Sequence, residues 1–194
     1  MRITGGRVKG RILSTPKGLL IRPTSDRVRE AIFNILGHDL SGLSVLDIFS
    51  GTGSLGLEAL SRGAGYAVFI DRLRESIDLI KKNIDLCGYR DSGTTFRRDL
   101  SRGIPWRHPL LMKQFDLVFL DPPYAKDLAT PILAGLSSGK RLSNGARVVV
   151  ESGKAASLPL SFPGLEMVDA RVYGDTKISI YELRNFINHL TRVE

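Results

Sequence analysis

From residue 44 onward the chain alternates short apolar runs with segments of helical spacing. Ser44–Phe49 reads as a strand, and a helix opens at Ser54 and runs to Ser61. Ala67–Ile70 is a second strand. Leu73–Leu86 is an amphipathic helix with Ile77, Ile80 and Ile84 on its inward face. Thr94–Arg98 is a third strand, and residues 101–114, broken by two prolines, read as an irregular loop. Phe115–Leu120 is continuously apolar but for Asp116, as a strand covered on both faces would be. Lys126–Ser137 is helical and Ala146–Glu151 is a fifth strand. Strands separated by helices demand a parallel sheet with right-handed crossovers.

The two ends of the chain differ from this rhythm. Leu165–Val172 and Lys177–Leu183 are strand-like and are joined by the turn Tyr173-Gly174-Asp175-Thr176, so they pair antiparallel at one edge. The tail 184–194 has one weak apolar face, Phe186, Ile187 and Leu190, and reads as a short helix. At the other end, residues 2–22 read as a small β appendage. Pro23-Thr24-Ser25-Asp26 offers a helix N-cap. Val28, Ala31, Ile32, Ile35 and Leu36 follow at helical spacing, and Gly37 ends the helix. The predicted architecture is a doubly wound, mostly parallel α/β sheet with an antiparallel edge hairpin. Residues 1–39 form a basic extension and residues 40–194 the main domain.

Composition narrows the class. The 194 residues carry 28 Lys+Arg against 20 Asp+Glu, a net charge of +8. Residues 1–22 hold Arg2, Arg7, Lys9, Arg11, Lys17 and Arg22 and no acid. Such a segment is the footprint of a polyanion binder, with Arg27 and Arg29 expected beside it on an exposed helix face. The one cysteine, Cys87, excludes an intramolecular disulfide and points to a reducing, cytoplasmic address. His38, His108 and His189 have no ligand spacing, so no metal site is expected. No run is long enough for a membrane span.

Two motifs carry chemistry. Gly51, Gly53 and Gly56 match G-x-G-x-x-G after a strand and at a helix start, where glycines let the backbone turn tightly and come close to a ligand. Asp71 lies 20 positions after Gly51, at the end of the next strand. A carboxylate there accepts from the ribose hydroxyls of an adenosine cofactor. NAD and S-adenosylmethionine both present an adenosine. Asp47, inside the first strand, favours a ligand carrying an ammonium and opposes a pyrophosphate. The second motif, Asp121-Pro122-Pro123-Tyr124, ends the fourth strand. Asp121 and the Pro122 carbonyl offer acceptors and no donor, which suits an exocyclic amino group, and Tyr124 offers a ring for base stacking. Two other classes share parts of this pattern. A nicotinamide oxidoreductase shares the glycine loop and Asp71 but has no use for Asp-Pro-Pro-Tyr. A non-catalytic RNA-binding module with a vestigial cofactor site would share the basic extension but would not bind S-adenosylmethionine.

On these motifs the chain resembles class I S-adenosylmethionine-dependent methyltransferases, whose fold is Rossmann-like. More narrowly, it is similar to the bacterial family that methylates guanine N2 in small-subunit (16S) ribosomal RNA. The narrow likeness rests on Arg2-Ile3-Thr4-Gly5-Gly6, Lys9-Gly10-Arg11-Ile12-Leu13, the block from Arg22-Pro23-Thr24 to Phe33-Asn34, and Val172-Tyr173-Gly174-Asp175-Thr176. It covers about residues 1–183. Asp-Pro-Pro-Tyr alone is shared with DNA-adenine and protein-glutamine methyltransferases. Thr4 departs mildly, standing where an aliphatic residue is expected. The resemblance implies that Asp47, Ser50, Gly51 and Gly53 hold the methionine end of S-adenosylmethionine and Asp71 the ribose. It implies that Asp99 and Leu100 hold the adenine, and that Asp121 to Tyr124 hold the target base. Arg2, Arg7, Lys9, Arg11, Arg22, Arg27 and Arg29 would grip RNA. The partner implied is ribosomal RNA or an assembling small subunit, met by a monomer.

Overall fold

The structure, a computed structural model, describes residues 1–15, 26–123 and 127–184. The chain opens with α1 (Asp26–Leu36), β1 (Ser44–Ile48), α2 (Ser54–Ser61), β2 (Tyr66–Asp71), α3 (Arg74–Cys87) and β3 (Gly93–Arg97). A single 3-10 turn (Pro109–Leu111) precedes β4 (Phe115–Leu120) and α4 (Ala129–Ser138). Then come β5 (Leu142–Gly153), β6 (Ser161–Phe162), β7 (Leu165–Tyr173) and β8 (Thr176–Leu183). Among the described residues these strands form one eight-stranded sheet in the order β3-β2-β1-β4-β5-β8-β7-β6. β3 through β5 are parallel, and β8, β7 and β6 are antiparallel. The expected hairpin is therefore present, but its second strand is the inner one: β8 pairs with β5 and leaves β7 outside.

Strand alternation sorts the core into two layers. Val45 and Phe69 face a cluster with Leu57 of α2, Ile77, Ile80 and Ile84 of α3, and Ile32 and Phe33 of α1. Leu46, Ile48, Val68 and Val118 face the other, with Ile132, Leu133 and Leu136 of α4. α3 keeps its apolar residues at helical spacing and stops at Gly88, whose φ of 75° lets the Tyr89 N–H reach the Ile84 carbonyl. α2 is mostly apolar, and every one of its residues is buried, Glu58 included. It needs a second layer on its outer side, and residues 1–13 supply part of it.

That N-terminal segment doubles back on itself through the turn at 6–10. The Ile3 N–H donates to the Arg11 carbonyl and the Leu13 N–H to the Met1 carbonyl, with one isolated bridge between Arg2 and Ile12. Ile3 and Leu13 are buried in the same cluster as Leu57 and Phe69. Gly6 lies so close to the Ser61 carbonyl that a Cβ would sit 1.9 Å from it. Residues 1–13 are thus a strap laid on α2, not a free-standing arm. Under the strap sits Glu58, fully buried. It accepts from the Thr4 N–H at 2.8 Å, the Thr4 hydroxyl at 2.8 Å, Arg29 Nε at 3.3 Å and Arg62 Nε at 3.0 Å. Arg29 also donates to the Arg2 carbonyl and to Asp26 at 2.9 Å. The expected exposed position of Arg29 is therefore wrong. It is completely buried, because Glu58 on α2 gives its charge a partner inside. Arg27 is exposed as expected.

Smaller differences concern boundaries. β5 starts earlier than predicted, through the exposed pair Asn144-Gly145, and β6 was not predicted. The N-cap residues 23–25, the first residue of the predicted helix at Lys126, and nearly all of the predicted tail helix lie outside the described residues.

Candidate active site

The parallel order β3-β2-β1-β4 lines up four carboxyl ends on one edge of the sheet. The register pairs Ile48 with Ile70 on one side and with Leu120 on the other, and Asp71 with Arg97. Asp99, Asp71, the loop from Phe49 to Gly53 and Asp121 therefore follow each other across that edge. The span is three strand spacings, roughly 14 Å.

The loop after β1 is strained. Phe49 has φ of 60°, and Gly51 and Gly53 have φ of 54° and 76°. A bulky residue in the left-handed region costs about 1–3 kcal/mol and marks a backbone held by its surroundings. The holders are visible. Asp71 Oδ2 accepts the Gly51 N–H at 3.0 Å and Asp71 Oδ1 accepts the Leu73 N–H at 2.9 Å. The Ser50 hydroxyl lies 2.6 Å from the Asp47 carbonyl and 3.1 Å from the Ile70 carbonyl. Its proton is committed to the backbone, so Ser50 offers a ligand only lone pairs. Asn83 of α3 bridges from the strap to the loop, donating to the Ser14 carbonyl at 3.1 Å and the Thr52 carbonyl at 3.0 Å.

The third glycine has a packing role. A Cβ on Gly56 would lie 2.4 Å from the Phe69 ring, so glycine lets α2 settle onto β2. This proximity also brings the Gly56 N–H to Asp47 Oδ2 at 2.9 Å. Asp47 is buried, and desolvation pushes its carboxyl up to about 8, against the lowering effect of the Gly56 bond and with the Asp71 charge adding to the rise.

Asp121 follows β4 directly, half-buried, with its N–H 3.4 Å from the Ile48 carbonyl. Pro122 is buried and Pro123 exposed. Tyr124 and Arg22 lie outside the described residues. Asp99 is exposed, and its Oδ1 accepts the Ser101 N–H at 2.9 Å. The Leu100 side chain is 2% exposed and belongs to the core, and its carbonyl accepts the Gly103 N–H at 2.9 Å. Trp106 packs on the second cluster, and His108 stacks on Phe96 at 3.9 Å.

The polar side chains brought together on this edge are carboxylates and a hydroxyl: Asp47, Ser50, Asp71, Asp99 and Asp121. Such a set fits a cation, ribose hydroxyls and amino groups, and it opposes a pyrophosphate. The family described as "Conserved hypothetical protein 95" matches residues 1–182 of the chain. The chain belongs to this family. It is 34% identical over 186 residues to YlbH of Bacillus subtilis, a protein provisionally named an rRNA methyltransferase. That match covers 95% of this chain and 100% of the relative. It is 31% identical over 186 residues to Ribosomal RNA small subunit methyltransferase D of Escherichia coli K12, covering 94% of this chain and 89% of that one. A solved Escherichia coli structure provisionally titled a methyltransferase, yhhF, matches with a TM-score of 0.81 at 29% identity, covering 95% and 98% of the two chains. The resemblance to class I methyltransferases and the expected fold are borne out.

Sequence reasoning did not find Glu58, Arg62 or Asn83. Glu58 and Arg62 are four apart on α2, the spacing of a helical ion pair. Their burial depends on the strap, which no local pattern announces.

Proposed function

We propose that this protein is an S-adenosylmethionine-dependent ribosomal RNA methyltransferase that methylates the N2 amine of a guanine in small-subunit RNA, acting as a monomer. The observation that carries the reading is the position of Asp121-Pro122-Pro123. It ends the strand next to the glycine loop, on the edge where Asp47, Asp71 and Asp99 stand. The relatives named as ribosomal RNA methyltransferases support the substrate class.

S-adenosylmethionine, when bound, supplies an electrophilic methyl group. Asp47 and the Ser50 hydroxyl would face its ammonium, Asp71 its ribose through the lone pairs not used by Gly51 and Leu73, and Asp99 and the Leu100 backbone its adenine. Asp121 and the Pro122 carbonyl would accept both N–H bonds of a guanine amine and aim its lone pair. Tyr124 would stack on the extruded base. Guanine N2 is a poor nucleophile, because its lone pair is delocalised into the ring. Positioning and stabilisation of the positive charge growing on nitrogen supply most of the acceleration. Methylation of that nitrogen would release a proton, which Asp121 or water would take. Residues 1–39 serve as the RNA-binding extension, with Arg2, Arg7, Lys9, Arg11, Arg22 and Arg27 toward phosphate. Arg29 has no part in that contact.

The test is mass-spectrometric mapping of methylated nucleosides in small-subunit RNA from cells with and without the gene. A 2-methylguanosine that disappears with the gene is expected, and complementation with Asp121→Ala should fail to restore it. Removing one preorganised electrostatic partner costs about two orders of magnitude in rate. A missing 6-methyladenosine, or unchanged nucleosides, would overturn the guanine reading.

A further inference from the structure

Asn83 lies on the apolar face of α3, between Ile80 and Ile84, and is fully buried. An amide there costs stability unless its polar atoms find partners, and an apolar side chain would pack at the same place without that cost. Its partners are all present. Asn83 Oδ1 accepts the Ser14 N–H at 2.8 Å, and Nδ2 donates to the Ser14 carbonyl at 3.1 Å and to the Thr52 carbonyl at 3.0 Å. Turning the amide over would set its oxygen against both carbonyls, so the two carbonyls fix its orientation.

These bonds join two segments far apart in sequence. Thr52 stands between Gly51 and Gly53 in the loop after β1, where Phe49, Gly51 and Gly53 all have positive φ. The same loop rests on α3 one turn before Asn83, since a Cβ on Gly53 would come within 3.3 Å of Ile80. Ser14 follows Leu13, whose N–H closes the strap on the Met1 carbonyl. A second contact runs the same way, with the Thr52 hydroxyl 4.0 Å from Met1 Sδ. Asp71 holds the Gly51 N–H from the β2 side at 3.0 Å. The next peptide of the loop, at the Thr52 carbonyl, is held by Asn83 and through it by the strap.

Resting on the function proposed above, we propose that Asn83 is a positioning residue that couples RNA on the strap to S-adenosylmethionine on the glycine loop. It acts through the backbone of Thr52 and Ser14 and needs no contact with either ligand. A ligand that fixes Gly51 and Gly53 also fixes the Thr52 carbonyl and, through Asn83, the Ser14 backbone. RNA that orders the strap fixes the same amide from the other end. The first ligand to arrive orders the shared contact, so the second binds more tightly. The effect is reciprocal, because a coupling between two sites changes both affinities by the same factor. The cofactor is therefore held more tightly when RNA is on the strap, and RNA more tightly when the loop is filled.

Calorimetry measures the affinity for S-adenosylhomocysteine, which occupies the cofactor site but has no methyl group to transfer, with and without small-subunit RNA. The parent should bind it about tenfold more tightly when RNA is present. Two variants cut the connection at different places. Asn83→Leu removes all three bonds, and Ser14→Pro removes the donor to Oδ1 while leaving the bond to Thr52. In both, the effect of RNA on the cofactor should vanish while each ligand alone still binds. Ser14→Pro, in the strap, decides the matter if Asn83→Leu fails to fold. Variants that lose thermal stability yet keep the effect of RNA would overturn the proposal, since an amide that only satisfies the core gives that result. A parent that binds RNA with no change in cofactor affinity would overturn it too. Failure of the parent to bind small-subunit RNA would overturn the proposed function and the coupling together. A parent that shows the coupling but methylates no guanine would overturn the proposed function alone.

Discussion

Replacing Glu58 with alanine should release the N-terminal strap. The side chain is fully buried between two guanidinium groups, one completely buried and the other 6% exposed. Removing the shared carboxylate leaves two buried cations short of their counterion and two donors of Thr4 without an acceptor. Breaking a buried pair from one side costs about 3–5 kcal/mol. The loss is not doubled for the second arginine, because each keeps other contacts. Arg29 retains Asp26 at 2.9 Å and the Arg2 carbonyl. Arg62 retains His38 at 3.0 Å and the face of Phe33 at 4.7 Å. For a chain of this size that loss corresponds to a fall in Tm of roughly 6–20 °C. Urea unfolding followed by circular dichroism measures the free energy, and hydrogen exchange of the amides in residues 3–13 reports the strap directly. Loss of protection should reach the Thr52 loop, since Asn83 ties Ser14 to it. The combined variant Glu58→Leu, Arg29→Met should recover part of the stability, because it also removes one of the two guanidinium groups that Glu58→Ala leaves uncompensated, and Arg62 keeps His38 and the Phe33 face. A loss for Glu58→Ala below about 1 kcal/mol, the worth of a surface pair, would refute the reasoning. The same reading applies to removing residues 1–22. That truncation should lower thermal stability, because Ile3 and Leu13 leave the core with it.

Asp71→Ala should weaken S-adenosylmethionine binding by roughly 1.5–3 kcal/mol, the scale of hydrogen bonds to a charged acceptor; unchanged affinity by calorimetry would remove Asp71 from the ribose role. Asp47 gives a pH dependence. Its carboxyl is raised from 3.8 to about 8, so between those values the folded chain holds a proton that the unfolded chain has lost. This group's contribution is full below pH 4 and declines as pH rises toward 8, by up to about 1.4 kcal/mol per pH unit. Stability of the cofactor-free chain as Asp47→Asn should lack that decline, and parallel curves for parent and variant between pH 5 and 8 would contradict the assignment.

The local pattern of residues determined most of the elements that build the site. The four-residue run after Tyr66, the isoleucine spacing of α3 and the apolar run of β4 are local signals, because a strand or helix buries a face at its own period whatever surrounds it. The glycine loop and Asp-Pro-Pro were legible for the same reason, since each couples backbone requirement to residue type over a few positions. Their shared edge also followed, because parallel strands with helical crossovers put their carboxyl ends together. What only the tertiary structure decided depends on contacts between distant segments. β8 enters between β5 and β7, a choice that a local hairpin pattern leaves open. Gly56 proved to be a packing residue, because the Phe69 ring comes from the next strand. Arg29 is an arginine on an amphipathic helix, and its sequence reads as surface. It is buried because Glu58, 29 positions later, and the Arg2 carbonyl meet it under a strap held by Ile3 and Leu13. A charge is stable inside only when its partner is brought to it, and that depends on how the whole chain folds.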